Sequence, residues 1–315
     1  VSDWENHPTF FEITLVLAMK YFRDRCVQLI ALETGMGGRL DASNAIQKDV
    51  AVITPVAMDH AAWLGDTLAK IANEKAGIIE AEKPVVCAPQ ESDAAQVIES
   101  EANQKRSQLT VIEKPLEGYG IALAGAHQRW NAALAAEAIF QAGIHLRVEM
   151  VREALGSLVW PGRFERRRLC DEGAPAVQVV LDATHNPHAA ESLAATWREV
   201  FGEQKAIVLI GAADKKDVDG VLDHLLPFTG ELIAVPINSP RSILPSDLAE
   251  SVAQHSLSSG ISIHTENSVA VGIERGRAAA QRTDFPLLIT GSLFLLGEAT
   301  AILNSDTESI RSSSQ

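Results

Sequence analysis

The chain has 315 residues, of which 46% are hydrophobic and 22% charged, and this balance suits a globular protein with one large core or two ordinary ones. Forty-one acidic residues against 27 basic ones give a formal net charge of -14, which repels nucleic acid and anionic lipid, so neither is an expected partner. The three cysteines have no paired spacing, and the sequence shows no membrane-length apolar run and no secretion signal, so we expect a reduced, cytoplasmic protein.

Short β-branched runs alternate with helix-period segments along the chain. This is the pattern of an α/β fold, since parallel strands need helical crossovers. Strands are predicted at 27–32, 50–54, 85–87, 110–112, 177–181, 206–210, 232–235 and 287–289. Helices are predicted at 10–25, 67–78, 94–104, 128–142, 189–200, 244–253, 268–281 and 293–303.

The turn Trp160-Pro161-Gly162-Arg163 is the predicted domain boundary, because proline ends the helix before it and glycine frees the backbone after it. Residues 1–160 and 161–304 would then form two domains. The serine-rich segment 305–315 has little to bury and is predicted to be a disordered tail. The chain opens on Val1 and soon enters a helix-like apolar pattern, from which we expect a fragment or a processed chain.

Glu33 opens a glycine-rich string, Glu33 to Asn44, directly after the first predicted strand. Ligands of open α/β sheets bind beyond the carboxyl ends of the strands, so Glu33 is a candidate ligand or metal residue. The glycines would let the backbone pass close to a bound group. The alternative is a glycine-rich turn closed by an Asx-type cap at Asp41 or Asn44.

Two further motifs follow in the first half. Asp59 and His60 stand just past a predicted strand, where a carboxylate and an imidazole could share a divalent cation, although a lone histidine there is more often structural and Mg²⁺ prefers oxygen. Lys75 precedes Gly77 at a predicted helix end, which is also the ordinary composition of a helix C-terminus.

In the second half, Asp182 follows a predicted strand, and His185 precedes the helix that begins near Pro187. Asp182 could hold a ribose hydroxyl or a substrate ammonium, and the helix start offers N–H groups to an anion. The alternative is a helix N-cap followed by a first-turn proline. Arg163 could reach a phosphate with its planar fork, or be a surface residue.

Taken together and in order, these strings resemble the folylpolyglutamate synthase/dihydrofolate synthase family of the Mur ligase superfamily. The resemblance spans nearly the whole chain. It rests on LETGMGGRLDASN, VITPVAMDHAAWLGDTLAKIANEKAGII, HQRWNAALA, WPGRFE, LDATHNP, GAADKKD and ITGSLFLLGE. It implies a central P-loop-type α/β domain, here without its N-terminal part, and a C-terminal Rossmann-like α/β domain.

The resemblance also implies roles for individual residues. Glu33 and His60 match the magnesium ligands, and Lys75 matches a lysine that becomes carbamylated. The other matches fall into three groups: Leu40, Asp41 and Ala42 at the pterin site; Asn131, Arg163 and Asp182 at the nucleotide; His185 and Ser292 near the glutamate site.

The reaction implied is ATP-dependent addition of L-glutamate to dihydropteroate or to the glutamate tail of reduced folates, through an acyl phosphate. The cofactors implied are ATP and Mg²⁺, with a second divalent or monovalent cation allowed, and we expect a monomer. No G-x-x-x-x-G-K-[ST] phosphate-binding loop occurs in the 315 residues, so the chain alone is expected to be inactive or nearly so. The alternatives are a catalytically dead remnant that binds pterin or a protein partner, and a cell-wall Mur ligase.

Overall fold

A computed structural model describes residues 7–59, 61–170, 175–214 and 216–313. The chain divides into two compact units: Val1–Gly118 with Arg129–Val151, and Tyr119–Gln128 with Arg152–Gln315. Each unit contains one β-sheet with helices packed on it, so the α/β class predicted from the sequence is confirmed. Among the described helices, none is both long and apolar enough to cross a membrane.

The first unit holds a three-stranded parallel sheet. Its strands are β1 (Ala51–Ile53), β2 (Val85–Cys87) and β3 (Leu109–Val111), in the spatial order β1-β2-β3. Its helices are α1 (Phe10–Asp24), α2 (Ala61–Leu64), α3 (Leu68–Ala76) and α4 (Ser92–Lys105). The apolar faces of α3 and α4 cover the sheet, with Ile71 and Ile98 almost wholly buried against the strands. The units divide after Gly118 and again within the next two helices, α5 (His127–Gln141) and α6 (Val148–Ser157).

The second unit holds a six-stranded sheet. The strands are β4 (Glu165–Leu169), β5 (Val177–Leu181), β6 (Ala206–Ile210), β7 (Thr229–Ala234), β8 (Ser262–Thr265) and β9 (Leu287–Thr290). Their spatial order is β4-β5-β9-β6-β7-β8; β4 runs antiparallel to β5, and the other described pairs are parallel. The helices are α7 (Pro187–Phe201), α8 (Val218–Leu225), α9 (Pro245–Gln254), α10 (Val269–Thr283) and α11 (Leu293–Ser313).

Helices cover both faces of this larger sheet. The buried side chains of α7, α8 and α9 form one core cluster with the strands, around Trp197. Those of α10 and α11 form a second cluster on the opposite face, around Ile273 and Leu295. Parallel strands buried on both sides read as continuous apolar runs, which is why β6, with the sequence AIVLI, is buried at every position.

The structure differs from the sequence predictions in several elements. The strand predicted at 27–32 is wrong: the segment joins no described ladder and its Leu29 side chain is 60% exposed, and a strand forms only where a neighbour completes its hydrogen bonds. The sequence did not predict strands β4 and β8 or helices α2, α6 and α8. Helix α11 continues to Ser313, through most of the segment predicted as a disordered tail.

Candidate active site

In the first unit, the glycine string lies against the end of α3. Gly38 fits there because it has no side chain: a Cβ would lie 2.7 Å from Ile78 Cγ2 and 2.8 Å from the carbonyl oxygen of Glu74. The Arg39 N–H donates to that carbonyl at 2.7 Å, and the Arg39 guanidinium donates to the Glu74 carboxylate at 2.8 and 3.0 Å. The loop and the helical turn that carries Lys75 therefore form one packed feature.

Asp41 caps the 3-10 turn Ala42–Ala45 that follows this loop. Its carboxylate accepts the N–H groups of Ser43 and Met36, both at 2.9 Å. Burial raises the pKa of Asp41, but hydrogen bonds from the Ser43 hydroxyl and from backbone N–H groups outweigh it, so the pKa lies below the ordinary value. The Asx-type cap considered as the alternative is thus present at Asp41, and the residue is held as an anion in a fixed orientation.

The other predicted residues of the first unit are more open. Glu33 is exposed and Lys75 half-buried, and neither side chain has an ion pair or hydrogen bond to a described residue. Leu40 is 79% exposed and Ala42 half-buried. His60 lies outside the described residues. Within the described part of the chain, no three His, Cys, Asp or Glu side chains come together as a metal-holding group.

In the second unit, Asp182 organises the carboxyl end of β5. Its Oδ1 accepts the N–H of Thr184 at 3.0 Å and the Thr184 hydroxyl at 2.6 Å. Its Oδ2 accepts the N–H of Phe164 at 2.8 Å, while its own N–H continues the sheet ladder by donating to the Ile289 carbonyl. The carboxylate therefore ties the strand end to the turn that contains Arg163.

That turn has an unusual backbone. Gly162 has a φ of +73°, and Phe164 has a φ of +45°, a region that residues with a side chain rarely adopt. The buried Phe164 ring packs edge to face on Trp197, which together with the Asp182 hydrogen bond holds the conformation. Arg163, between the two, is exposed and makes no ion pair with a described residue. The turn presents a guanidinium whose donors remain available to an anion.

His127, which the sequence analysis did not single out, lies near the same charges. A Cβ on Gly125 would be 2.6 Å from the His127 ring. Desolvation lowers the pKa of His127, the Asp182 charge raises it and the Arg163 charge lowers it further, and the outcome is a pKa below the ordinary value. The predicted nucleotide residue Asn131 lies one helical turn later on α5, in the part that belongs to the first unit.

The two predicted glutamate-site residues stand at neighbouring strand ends of the second unit. His185 follows β5, with Nδ1 2.9 Å from the Ala183 carbonyl. If Nδ1 carries the proton and donates it there, Nε2 keeps its lone pair. Ser292 follows β9, is buried, and accepts the Phe294 N–H with its hydroxyl oxygen at 3.2 Å. The alternative prediction, a helix N-cap followed by a first-turn proline, is also present one residue beyond His185: Asn186 caps α7, and Pro187 lies in the first turn of that helix.

Thr290, the last residue of β9, is a functional candidate that sequence reasoning missed. It is fully buried, and its hydroxyl has no hydrogen-bond partner among the described residues. Leaving a buried hydroxyl without a partner costs about 1–3 kcal/mol, and native structures seldom do so. In the sequence, Thr290 is visible only as a polar residue that ends the apolar run LLIT. Its burial, which the sequence does not show, is what makes it a candidate.

Comparison with known proteins identifies the family. Residues 162–293 match the model of the Mur ligase glutamate ligase domain. The dihydrofolate synthase/folylpolyglutamate synthase of Bacillus subtilis is 32% identical over an alignment that covers 92% of this chain and 71% of the relative. This chain belongs to the folylpolyglutamate synthase/dihydrofolate synthase family. Its enzyme class is therefore that of the acid–amino-acid ligases, which form an amide bond with ATP hydrolysis.

Solved structures of the family agree with this assignment. Escherichia coli FolC in complex with DHPP and ADP superposes with a TM-score of 0.82 at 27% identity, over 95% of this chain and 72% of that one. The Yersinia pestis folylpolyglutamate synthase/dihydrofolate synthase complexed with AMPPNP and Mn gives a TM-score of 0.81 at 28% identity, over 95% and 72%. The predicted Mur ligase fold is confirmed by these neighbours.

Proposed function

We propose that this ligase adds L-glutamate to dihydropteroate, to the glutamate tail of reduced folates, or to both, through an acyl-phosphate intermediate. The observation that carries the proposal is the strained turn that Asp182 holds and on which Arg163 stands exposed without a partner among the described residues. Backbone strain concentrates at functional sites, and a guanidinium kept available there suits a phosphate.

We assign nucleotide binding to Asn131, Arg163 and Asp182. A triphosphate needs local cations in a chain of net charge -14, and the planar Arg163 fork is one. Asp182 retains lone pairs beyond its three hydrogen bonds, which suits a ribose hydroxyl. The ADP and AMPPNP in the two family structures support a nucleotide as the ligand.

We propose that Glu33, His60 and Lys75 hold a magnesium ion, which would polarise and neutralise phosphate oxygens. Glu33 supplies the oxygen donor that Mg²⁺ prefers, and its carboxylate is not engaged by a described residue. Lys75 supplies an oxygen only as a carbamate, since an ammonium repels a cation. The half-buried Lys75 likewise has no partner among the described residues, so we assign it that modified form. His60 completes the proposed set. The manganese in the Yersinia pestis structure supports a divalent metal.

In the proposed reaction, the substrate carboxylate attacks the γ-phosphorus of ATP, and ADP leaves. The L-glutamate amine then attacks the acyl carbonyl, phosphate leaves, and an amide is formed. The attacking amine must lose a proton, and we assign Nε2 of His185 as its acceptor, because Nδ1 is engaged by the Ala183 carbonyl. Arg163 neutralises charge on the transferred phosphoryl group.

Pterin binding is assigned to Leu40, Asp41 and Ala42. Leu40 offers an open apolar surface, and Asp41 offers an anion fixed by its cap contacts. A heteroaromatic ring with N–H donors fits an apolar wall beside a carboxylate. We also propose that the protein acts as a monomer.

The missing phosphate loop limits the activity of these 315 residues. A G-x-x-x-x-G-K-[ST] loop cradles β- and γ-phosphates with backbone N–H groups and a lysine, and no such string occurs in the chain. We propose that the chain by itself has little or no ligase turnover. The same absence supports the alternative of a non-catalytic remnant that binds pterin or a protein partner.

Titration with ADP, monitored by calorimetry, tests the nucleotide assignment. Because a charge-assisted hydrogen bond is worth about 1.5–3 kcal/mol, Arg163→Ala should weaken ADP binding about tenfold or more. Arg166→Ala is the matched control, since Arg166 is also exposed and without a described partner, and it should leave ADP binding unchanged. A chain that binds no ADP, or equal weakening by both variants, would count against the proposal.

A ligase assay separates the proposed ligase from the remnant. ATP, L-glutamate and dihydropteroate are supplied, and ADP formation that depends on all three is measured. The 315 residues should give at most a trace, and a longer form that contains a phosphate loop should turn over. Vigorous turnover by the 315 residues would refute their proposed inactivity. A longer form that also fails would favour the remnant.

A further inference from the structure

The carboxyl end of β9 lies at a topological switch point of the second unit. β9 is paired on one side with β5 and on the other with β6. The helices that follow β5 and β6 pack on one face of the sheet, whereas α11, which follows β9, packs on the other. The helical connections after these strands therefore diverge to opposite faces of the sheet. In open α/β sheets a crevice forms where the connections diverge, and ligands bind in it.

Thr290 places its side chain at this end of the sheet. Side chains alternate along a strand, and Leu288 packs in the cluster formed with α7 and α8, whereas Leu287 and Ile289 pack in the other. Thr290 therefore points to the same face as Leu288. Its sheet partner Ile210 packs in that same cluster.

The missing hydrogen bond of Thr290 contrasts with the other buried threonines of this unit. Thr184 donates to the Asp182 carboxylate at 2.6 Å, Thr196 to the Ser192 carbonyl at 2.8 Å, and Thr229 to the Leu225 carbonyl at 2.8 Å. The Thr290 hydroxyl, on a residue with 0% exposure, has no partner among the described residues. Buried polar groups are rarely left unpaired without a ligand or water to complete them.

A second hydroxyl follows two residues later. Gly291, with a φ of +106°, packs so tightly that a Cβ would lie 2.7 Å from the Gly211 carbonyl oxygen. It leads to the buried Ser292, whose oxygen accepts the Phe294 N–H, and whose proton has no acceptor among the described residues. Two hydroxyl protons without acceptors at one strand end suit an acceptor-only ligand group, and a carboxylate is such a group.

We propose that the Thr290 hydroxyl is a further binding group for the incoming amino acid, donating its proton to a carboxylate oxygen of L-glutamate beside Ser292, which the family resemblance already places near that site. This inference rests on the proposed function, because it takes L-glutamate as the substrate of this unit. In an acidic chain the carboxylate must be held by local donors. The N-terminus of α11, which begins at Leu293, adds a favourable dipole.

Equilibrium binding of L-glutamate to the chain, by calorimetry, tests the proposal in three variants. Thr290→Val keeps the shape and removes the hydroxyl, and Thr290→Ser keeps the hydroxyl. Thr229→Val removes a buried hydroxyl that is satisfied within the protein and is the matched control. Thermal unfolding without ligand is measured for each, and Thr290→Ala replaces the valine variant if that variant does not fold.

Thr290→Val should raise the Kd for L-glutamate about tenfold or more, which is the effect of losing one hydrogen bond to a charged group. Its thermal midpoint should not fall, because no protein hydrogen bond is lost. Thr290→Ser should keep the affinity, and Thr229→Val should keep the affinity but lower the midpoint.

The inference is overturned if Thr290→Val binds L-glutamate as the unaltered chain does, or if it loses thermal stability as Thr229→Val does. Absence of L-glutamate binding by the unaltered chain also overturns it. The ADP titration then reports independently on whether the nucleotide part of the proposed function stands.

Discussion

The Asp182 carboxylate accepts the backbone N–H of Phe164 at 2.8 Å, across a separation of 18 residues. Phe164 lies in the core with a φ of +45°, and this hydrogen bond, together with the packing of its ring on Trp197, holds the strained residue at the end of β5. The position of Arg163 therefore depends on a neighbouring carboxylate, and the proposed ribose ligand is also the anchor of the proposed phosphate ligand.

Asp182→Asn should lower both stability and ADP affinity. An asparagine amide cannot accept hydrogen bonds at both terminal atoms, so either Phe164 or Thr184 loses its acceptor, at a cost of about 1–3 kcal/mol. Urea unfolding and ADP calorimetry check the two effects. Normal ADP affinity in a destabilised Asp182→Asn protein would show that the carboxylate is structural only.

Gly38→Ala should destabilise the first unit. The new Cβ would meet the Glu74 carbonyl oxygen at 2.8 Å and Ile78 at 2.7 Å, and overpacking of this kind typically costs about 1–3 kcal/mol. Gly120→Ala is the control, because nothing lies within 4 Å of a Cβ there. The free energies of unfolding of both variants are compared. Equal effects would mean that the loop yields, contrary to the tight packing against α3.

Much of the second unit could be predicted from the sequence, because its parallel strands are buried on both faces and read as apolar runs. β5 and β6 occur where predicted. β4 was missed because its sequence ERRRL is charged, and it forms only as an antiparallel edge to β5. The segment 27–32 shows the opposite error, since its apolar pattern suited a strand but no described segment pairs with it.

The candidate site likewise contains residues that local sequence signals predict and residues that only the tertiary structure shows. Asp182 and Arg163 could be found because their motifs are local and follow recognisable strand and turn signals. Thr290 could not be found from the sequence. Its side chain is fully buried and its hydroxyl has no hydrogen-bond partner among the described residues, and both properties arise from tertiary packing. The role of Asp182 in holding Phe164 likewise depends on a contact between distant parts of the chain.

The three cysteines should react unequally with a thiol-alkylating reagent. Burial raises the pKa of Cys87, a residue only 2% exposed, so little of the reactive thiolate forms. Cys26 and Cys170 are exposed. Mass spectrometry after brief alkylation should show label on those two in the folded protein and on all three in denaturant. Rapid labelling of Cys87 in the folded chain would contradict its placement in the sheet of the first unit.

Asp41→Asn should lower stability at neutral pH and have less effect in acid. The pKa of Asp41 lies below its ordinary value because hydrogen bonds from Ser43 and Met36 outweigh the opposing effect of burial. A carboxyl group with a depressed pKa contributes stability that is present above its unfolded pKa and is lost as the pH falls through its folded pKa. The gap in unfolding free energy between the unaltered chain and Asp41→Asn should therefore be full at neutral pH and narrow once the pH drops below the ordinary aspartate range. Urea titrations at a series of pH values measure that gap.

The substituted asparagine could still accept the Ser43 N–H, but it carries no charge. A gap in unfolding free energy that stays constant down to strong acid would therefore mean that the cap acts by shape alone. The fixed anion assigned to the pterin site would then lose its support.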